Sequence, residues 1–271
     1  MNAAETSCLR TGIDRSLGKG VQMSNIALRP SYWAMVSGGK DSLYMLYQIF
    51  QHPDKYPLDG VCHLELEIDF PFIKDVVGEM KAICDMAGVK FFSFKPDHTW
   101  LELYEKYGYP NRHKRWCNDS YKLSGKKKLN RFLREQGKYL VEYIGFCADE
   151  VDRFRYELND RGQKVKQIYP LAELGINEDY IWKWAREHPV FNDFYKYNYR
   201  CGCMCCPLSA RRGLAYVKQF YPEKYEYFMG LADKFEEESG YTVWDGKHKY
   251  NTKYVMKRVE RLLPLKELEV K

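Results

Sequence analysis

Apolar positions along the first half of the chain alternate between short continuous runs and stretches at helical spacing. Residues 32–36 form a short apolar run of strand type, closed by the turn Ser37-Gly38-Gly39. Leu43, Leu46, Tyr47 and Phe50 then fall at i, i+3, i+4 and i+7, the spacing of an amphipathic helix, which His52-Pro53 ends. Residues 61–66 read as a second strand. Ile73, Val76, Val77, Met80 and Ile83 repeat the helical period, and Gly88 stands beyond the end as a cap. Residues 89–94 give a third strand. A basic segment, 112–138, contains a helix marked by Leu129, Phe132 and Leu133, and residues 139–146 form a fourth strand leading to Cys147.

Strands alternating with helices in this way predict an α/β fold, a doubly wound and mostly parallel sheet covered on both faces. The remainder reads as helical, over 177–188, 214–219 and 225–235. The expected organisation is a flexible tail over 1–25, an α/β nucleotide-binding domain over 26–170, and a helical, cysteine-bearing C-terminal region over 171–271.

Composition narrows the class. Of the 271 residues 45% are hydrophobic and 30% charged, enough apolar material for a real core. Lys and Arg exceed Asp and Glu by 43 to 37, a mild basic excess that suits phosphate-rich ligands without requiring them. No run approaches the roughly 18 apolar residues of a membrane helix, and no apolar segment follows the N-terminus. A cytoplasmic protein with no membrane partner is expected. Nine cysteines are many for such a chain, and four of them crowd into Cys201-Gly202-Cys203-Met204-Cys205-Cys206. Close spacing points to a metal or cluster site rather than a disulfide framework. Cys8, Cys62 and Cys84 stand apart and read as packing or surface residues.

The hexapeptide Ser37-Gly38-Gly39-Lys40-Asp41-Ser42 lies where an open α/β sheet binds ligands, after a strand and before a helix. Its glycines admit close backbone approach and positive φ, and free amides at the helix start suit an anion. Lys40 can add charge, Ser37 and Ser42 can donate to phosphate oxygens, and Asp41 can orient the loop or help hold a cation. Neither G-x-x-x-x-G-K-[ST] nor G-x-G-x-x-G is present. A capped Gly-Gly turn with no ligand is the plain alternative. Cys203 and Cys206 form a C-x-x-C chelating pair, equally suited to iron–sulfur and to zinc. Redox-active or merely buried thiols are the third reading.

Taken together, the motifs resemble the PP-loop ATP pyrophosphatases. The hexapeptide matches their signature without substitution. Arg115-Trp116-Cys117 with Lys122, Gly145 with Ala148-Asp149-Glu150 and Arg153, and Arg200 with Gly202-Cys203-Met204-Cys205-Cys206-Pro207 resemble elements of the phosphoadenosine phosphosulfate (PAPS) reductase family. Within it, the chain is closest in motif to the iron–sulfur sulfurtransferase-like members. The resemblance implies an adenine nucleotide α-hydrolase-like fold and an enzyme that binds ATP with Mg2+. Such an enzyme adenylates an acceptor, releases pyrophosphate and transfers sulfur.

The nucleotide would lie on Ser37, Gly38, Gly39, Lys40, Asp41, Ser42, Gly145, Asp149 and Glu150. Lys40, Asp41, Arg115 and Lys122 would serve catalysis. Cys117, Cys203 and Cys206 would hold a [4Fe–4S] cluster, Zn2+ being the alternative, with Cys201 or Cys205 as fourth ligand; Cys147 could also substitute, or one iron could stay open. The acceptor is DNA, tRNA or a small molecule, and a sulfur-donor protein is an implied partner. A sulfonucleotide reductase and a non-catalytic nucleotide or cluster sensor are the rival functions. Against the reductase, the 65 residues after Cys206 hold no cysteine, and the glycine loop is intact. Residues 241–261 mix Tyr, Trp, Lys and Arg, which suits either a nucleic-acid contact or a basic domain edge.

Overall fold

A computed structural model describes residues 28–154, 166–244 and 250–270. The expected tail over 1–25, and Cys8 with it, lies outside the described residues. The first strand, β1 (Arg29–Val36), is followed by α1 (Lys40–Gln51), β2 (Gly60–Leu64), α2 (Ile73–Met86) and β3 (Lys90–Phe94). Then come α3 (Trp100–Tyr107), a π-helical turn at Cys117–Lys122, α4 (Ser124–Glu135), β4 (Lys138–Tyr143) and β5 (Lys166–Ile168). All four strand pairings are parallel, and the order across the sheet is β3-β2-β1-β4-β5. The chain winds outward from β1 to β3, then returns to the other side of β1 for β4. That reversal opens a crevice at the carboxyl ends of β1 and β4, where open parallel sheets take ligands.

Strand alternation decides which layer covers each face. Trp33, Cys62 and Leu140 point to one side and meet Leu129 and Leu133 of α4. Ala34, Val36, Val61 and Tyr143 point to the other, where Leu43, Leu46 and Ile49 of α1 and Val76 and Met80 of α2 pack on them. The sheet is therefore doubly wound, as the periodicity predicts. The second core continues into the later helices: α5 (Pro170–Glu173), α6 (Glu178–Glu187), α7 (Phe194–Tyr197), α8 (Arg211–Phe220), α9 (Pro222–Ser239) and α10 (Thr252–Glu260).

Several elements differ from the sequence reading, among them β5, α5, α7 and α10, which it did not give. The fourth strand ends at Tyr143 rather than 146: β5 pairs with its last three residues only, and Ile144, just beyond, lines the cavity described below. Helix α3 was not anticipated, although Thr99 and Glu102 form a complete capping box at its start. The basic segment is not wholly solvated: Lys126 turns inward to Glu142 of β4 at 2.9 Å.

Candidate functional site

The glycine loop occupies the crevice. Gly38 has φ +77°, and a Cβ there would stand 2.6 Å from Cγ2 of Ile73, so the position requires glycine. A Cβ on Gly145, after β4, would lie 3.0 Å from the carbonyl oxygen of Asp41. The two chain segments of the crevice thus touch backbone to backbone. The loop hydroxyls fold back on it: Ser42 Oγ donates to the Gly39 carbonyl at 2.9 Å, and Ser37 Oγ accepts the Gly39 N–H at 3.4 Å.

Lys40 does not reach into the crevice. Its side chain is 1% exposed, and Nζ is held by Asp41 at 2.7 Å and by Glu178 of α6 at 3.3 Å. The Lys40 backbone N–H donates to Tyr195 Oη at 3.0 Å. Burial raises the Asp41 carboxyl above its ordinary range, and Lys40 opposes that rise. Around this pair the later helices supply further charge. Arg200 bridges Glu150 at 2.9 Å and Glu178 at 2.5 Å, and Arg153 also pairs with Glu150. Cys147 Sγ lies 3.7 Å from Asp41, its N–H bonds Glu150 at 3.2 Å, and burial pushes its thiol up. Asp149 is exposed and accepts the Glu178 N–H at 3.1 Å. The structure therefore gathers Lys40, Asp41, Glu150, Asp149 and Cys147 behind the loop rather than in front of it. Glu178 and Tyr195, which complete this group, carried no signal in the sequence.

In front of the loop is a cavity of about 390 Å3. Ser37 and Gly39 line one part of it, and Met35, Val36, Leu64 and Ile144 supply apolar wall. The Lys126–Glu142 pair lines it too, with Glu142 1% exposed and Gln167 Nε2 donating to its carboxylate at 3.1 Å. Lys122, Asp69, Cys201 and Gly202 also line it, so the cavity runs from the phosphate-type loop to the cysteine segment. An apolar pocket of this size with a few placed polar groups is what a nucleobase and sugar require. Arg115, by contrast, is exposed and does not line this cavity.

The cysteines converge on Lys122. The N–H of Cys206 bonds the Cys203 carbonyl at 3.2 Å, closing the C-x-x-C into a turn. The Cys206 thiol donates to Cys203, and with the Lys122 ammonium it brings the Cys203 thiol down to about 5. Cys206, as donor, is pushed up correspondingly. Burial raises Cys117, Cys201 and Cys205, and the charge on Cys203 adds to each. Lys122 is raised, first by Cys203. Asp69 rises to about 7, through burial and then through Cys203. Five thiols thus feel one another, a soft donor set of the kind iron–sulfur clusters and zinc take. Among the described residues, no three or more His, Cys, Asp or Glu stand in an arrangement ready to hold a metal ion. Cys62 and Cys84, both buried, lie apart in the two cores, as read from sequence.

No family model matches the chain. Two proteins of Methanocaldococcus jannaschii resemble it. The uncharacterized protein MJ0066 is 26% identical over 234 residues, covering 79% of this chain and 45% of that protein. The uncharacterized protein MJ0973 is 24% identical over 229 residues, covering 78% and 49%. The chain spans about half the length of these curated relatives. Similar solved structures include the PAPS reductase of Candida auris in a phosphate complex, at TM-score 0.38 and 17% identity over 64% of this chain and 81% of that one. They also include the U34-tRNA thiolase NcsA of Methanococcus maripaludis with its [4Fe-4S] cluster, at TM-score 0.40 and 20% identity over 90% and 76%. No helix among the described residues is long and apolar enough to cross a membrane.

Proposed function

We propose that the protein is an ATP-dependent adenylating enzyme of PP-loop type that passes sulfur to its acceptor. The observation that carries this reading is the continuity of one cavity from the Ser37–Gly39 turn to Lys122 and Cys201. A nucleotide lying along it would present its phosphates to the loop and its reacting end toward the thiol segment. Ser37, Gly38, Gly39 and Ser42 supply amides and hydroxyls to the polyphosphate, while Lys40, clamped by Asp41 and Glu178, braces the loop from behind. Mg2+, when bound, would share the phosphate charge; Asp41, Asp149 and Glu150, which this structure keeps behind the loop, are the carboxylates that would hold it. Gly145 permits the close approach of the β4 segment to that loop.

In the reaction, an acceptor oxygen attacks the α-phosphorus and a new P–O bond forms. The α–β bridging bond breaks and pyrophosphate leaves with its electron pair. This chemistry is mostly positioning and charge neutralisation, for which Lys122 at the cavity wall is the cation in place. Arg115, exposed in this structure, would join only by moving toward bound ligand. Cys117, Cys203 and Cys206 would hold a [4Fe–4S] cluster, with Cys201 or Cys205 as fourth ligand and Zn2+ as the alternative metal. Such a cluster, when bound, supplies an iron site able to carry sulfur. A sulfur-donor protein and a DNA, tRNA or small-molecule acceptor complete the scheme, and the cytoplasm is its expected compartment.

The test is incubation of anaerobically prepared protein with radiolabelled ATP and Mg2+. Formation of AMP and pyrophosphate in the presence of acceptor supports the reading. Sulfite release from a sulfonucleotide, or ATP binding with no turnover under any acceptor, would replace it by the reductase or the sensor.

A further inference from the structure

Charge is unevenly placed along the chain. Residues 112–138 hold ten Lys and Arg against Asp119 and Glu135, a net +8, whereas the whole chain carries +6. The remainder is therefore slightly acidic, and the basic character belongs to one segment. In the fold that segment runs from a loop through the π-helical turn at Cys117–Lys122 into α4. Arg112, His113, Lys114 and Arg115 are all exposed. Their loop is fixed at its base: Asn111 Oδ1 accepts the N–H groups of His113 and Lys114, each at 2.9 Å, and Trp116 Nε1 donates to the Gly108 carbonyl at 3.0 Å. Lys114 Nζ donates to the Tyr107 carbonyl at 2.7 Å, while the Arg112 and Arg115 side chains have no hydrogen-bond or ion-pair partner among the described residues. Along α4, Lys127, Arg131 and Arg134 fall at i, i+4 and i+7, one face of the helix over about 10 Å, with Lys127 and Arg131 exposed.

Neighbouring carboxylates neutralise only part of this charge. Asp97 takes Lys128 at 2.8 Å, Glu142 takes Lys126 at 2.9 Å, and Lys122 faces inward to Cys203 and Asp69. Seven Lys and Arg of the segment remain, against Asp119 and Glu135. The same segment exposes no large hydrophobic residue: Leu129 and Leu133 are buried, and Phe132 packs on Phe92 at 5.2 Å between ring centroids. A protein interface centres on aromatic and other apolar side chains and is poor in Lys, whereas a nucleic-acid interface is polar and strongly positive. On its inner side the segment lines the first cavity through Lys122, Leu123, Gly125 and Lys126. A strand on the outer side would pass about 10 Å, one helix width, from that cavity.

We propose that the outer face of residues 112–138 docks a single-stranded nucleic acid by its phosphodiester backbone, with Arg112, Arg115, Lys127 and Arg131 as the phosphate contacts. The strand is then the acceptor of the adenylation; that role rests on the function proposed above, whereas the docking does not. A duplex keeps its bases in the stack, so the strand is unpaired where it passes the site. The basic stretch around α10 offers less, because Lys253 there is engaged by Asp233 at 3.5 Å and Glu237 at 3.1 Å.

The experiment is fluorescence anisotropy of a labelled single strand of about 20 nucleotides, titrated with the anaerobically prepared full chain without ATP. The expected Kd is about 10 μM or tighter at about 50 mM salt. Four phosphate contacts give a salt slope of about −3, so binding should weaken about fiftyfold between about 50 and 200 mM. Arg112→Ala combined with Lys127→Ala and Arg131→Ala, all at exposed positions, should bring the slope to about −0.7 and weaken binding about tenfold or more. Lys257→Ala with Arg258→Ala on α10 should change the affinity less than about twofold. Circular dichroism verifies that the variants are folded. No binding at the lower salt, a triple variant equal to the wild type, a loss confined to the α10 variant, or tighter binding of the duplex or of poly-L-glutamate would each overturn the proposal. ATP is titrated in parallel. Failure of ATP to bind defeats the enzymatic reading alone, and failure of the strand in protein that binds ATP defeats this inference alone.

Discussion

Replacing Glu178 by alanine tests how the phosphate-type loop is held. The Glu178 carboxylate contacts Lys40 Nζ at 3.3 Å and Arg200 Nη2 at 2.5 Å, and the Lys40 side chain is 1% exposed. Removing one partner of a fully buried ion pair costs about 3–5 kcal/mol. Here Lys40 keeps Asp41 at 2.7 Å and Arg200 keeps Glu150 at 2.9 Å, so neither cation is abandoned. Arg200 is also more than half exposed, and an exposed pair is worth less than about 1 kcal/mol. The expected loss is about 2–3 kcal/mol, most of it through Lys40. Urea unfolding followed by circular dichroism measures it. A double-mutant cycle with Lys40→Met isolates the pair, with an expected coupling of about 2 kcal/mol. A loss below about 0.5 kcal/mol, or coupling near zero, would show that Lys40 does not depend on α6, and the braced-loop description would be wrong.

Other predictions follow from the same geometry. In metal-free protein, iodoacetamide should alkylate Cys203 first, with a rate that rises through a midpoint near pH 5, while Cys62 and Cys84, pushed up to about 12, stay unmodified at pH 7; peptide mass spectrometry reads the order. Asp69 titrates near 7 in the fold against 3.8 unfolded, so its contribution to stability is full below pH 3.8 and is lost as pH rises through 7. Asp69→Asn should flatten that part of the stability profile, and an unchanged slope would contradict the assignment. Leu133→Ala, at a site 1% exposed between α4 and Trp33, should cost about 2–5 kcal/mol in thermal or urea unfolding.

Much of the scaffold was legible because periodicity is a local property. The change from a continuous apolar run at 32–36 to i, i+3, i+4 spacing in α1 placed the glycine loop at a strand end, and the structure put that end at the reversal of strand order. Helix α3 was legible but not read: Thr99 and Glu102 form the capping box, and Trp100, Leu103, Tyr104 and Tyr107 fall at i, i+3, i+4 and i+7. Strand β5 has three residues at the sheet edge, too few to show alternation. The site was read less completely. Lys40 was expected to face phosphate, yet its direction depends on Glu178, 138 residues later, and no local pattern encodes that pairing. Lys126 belonged to a basic run that usually marks a solvated face. Only the register that sets Glu142 opposite α4 turns it inward. Asp69 looks ordinary in an apolar stretch, and its setting arises only because the cavity wall, Lys122 and Cys203 meet around it.

The central claim is that residues 37–42 hold the polyphosphate of ATP. Its most direct measurement is calorimetric titration of ATP and Mg2+ into the wild-type protein and into Gly38→Ala, with folding of both verified by circular dichroism. The methyl group would face Ile73 at 2.6 Å with the backbone at φ +77°, so the loop must deform. Wild-type binding that weakens about tenfold or more in the folded variant is the predicted result. No heat of binding to the wild type, or equal affinity for both proteins, would contradict the account.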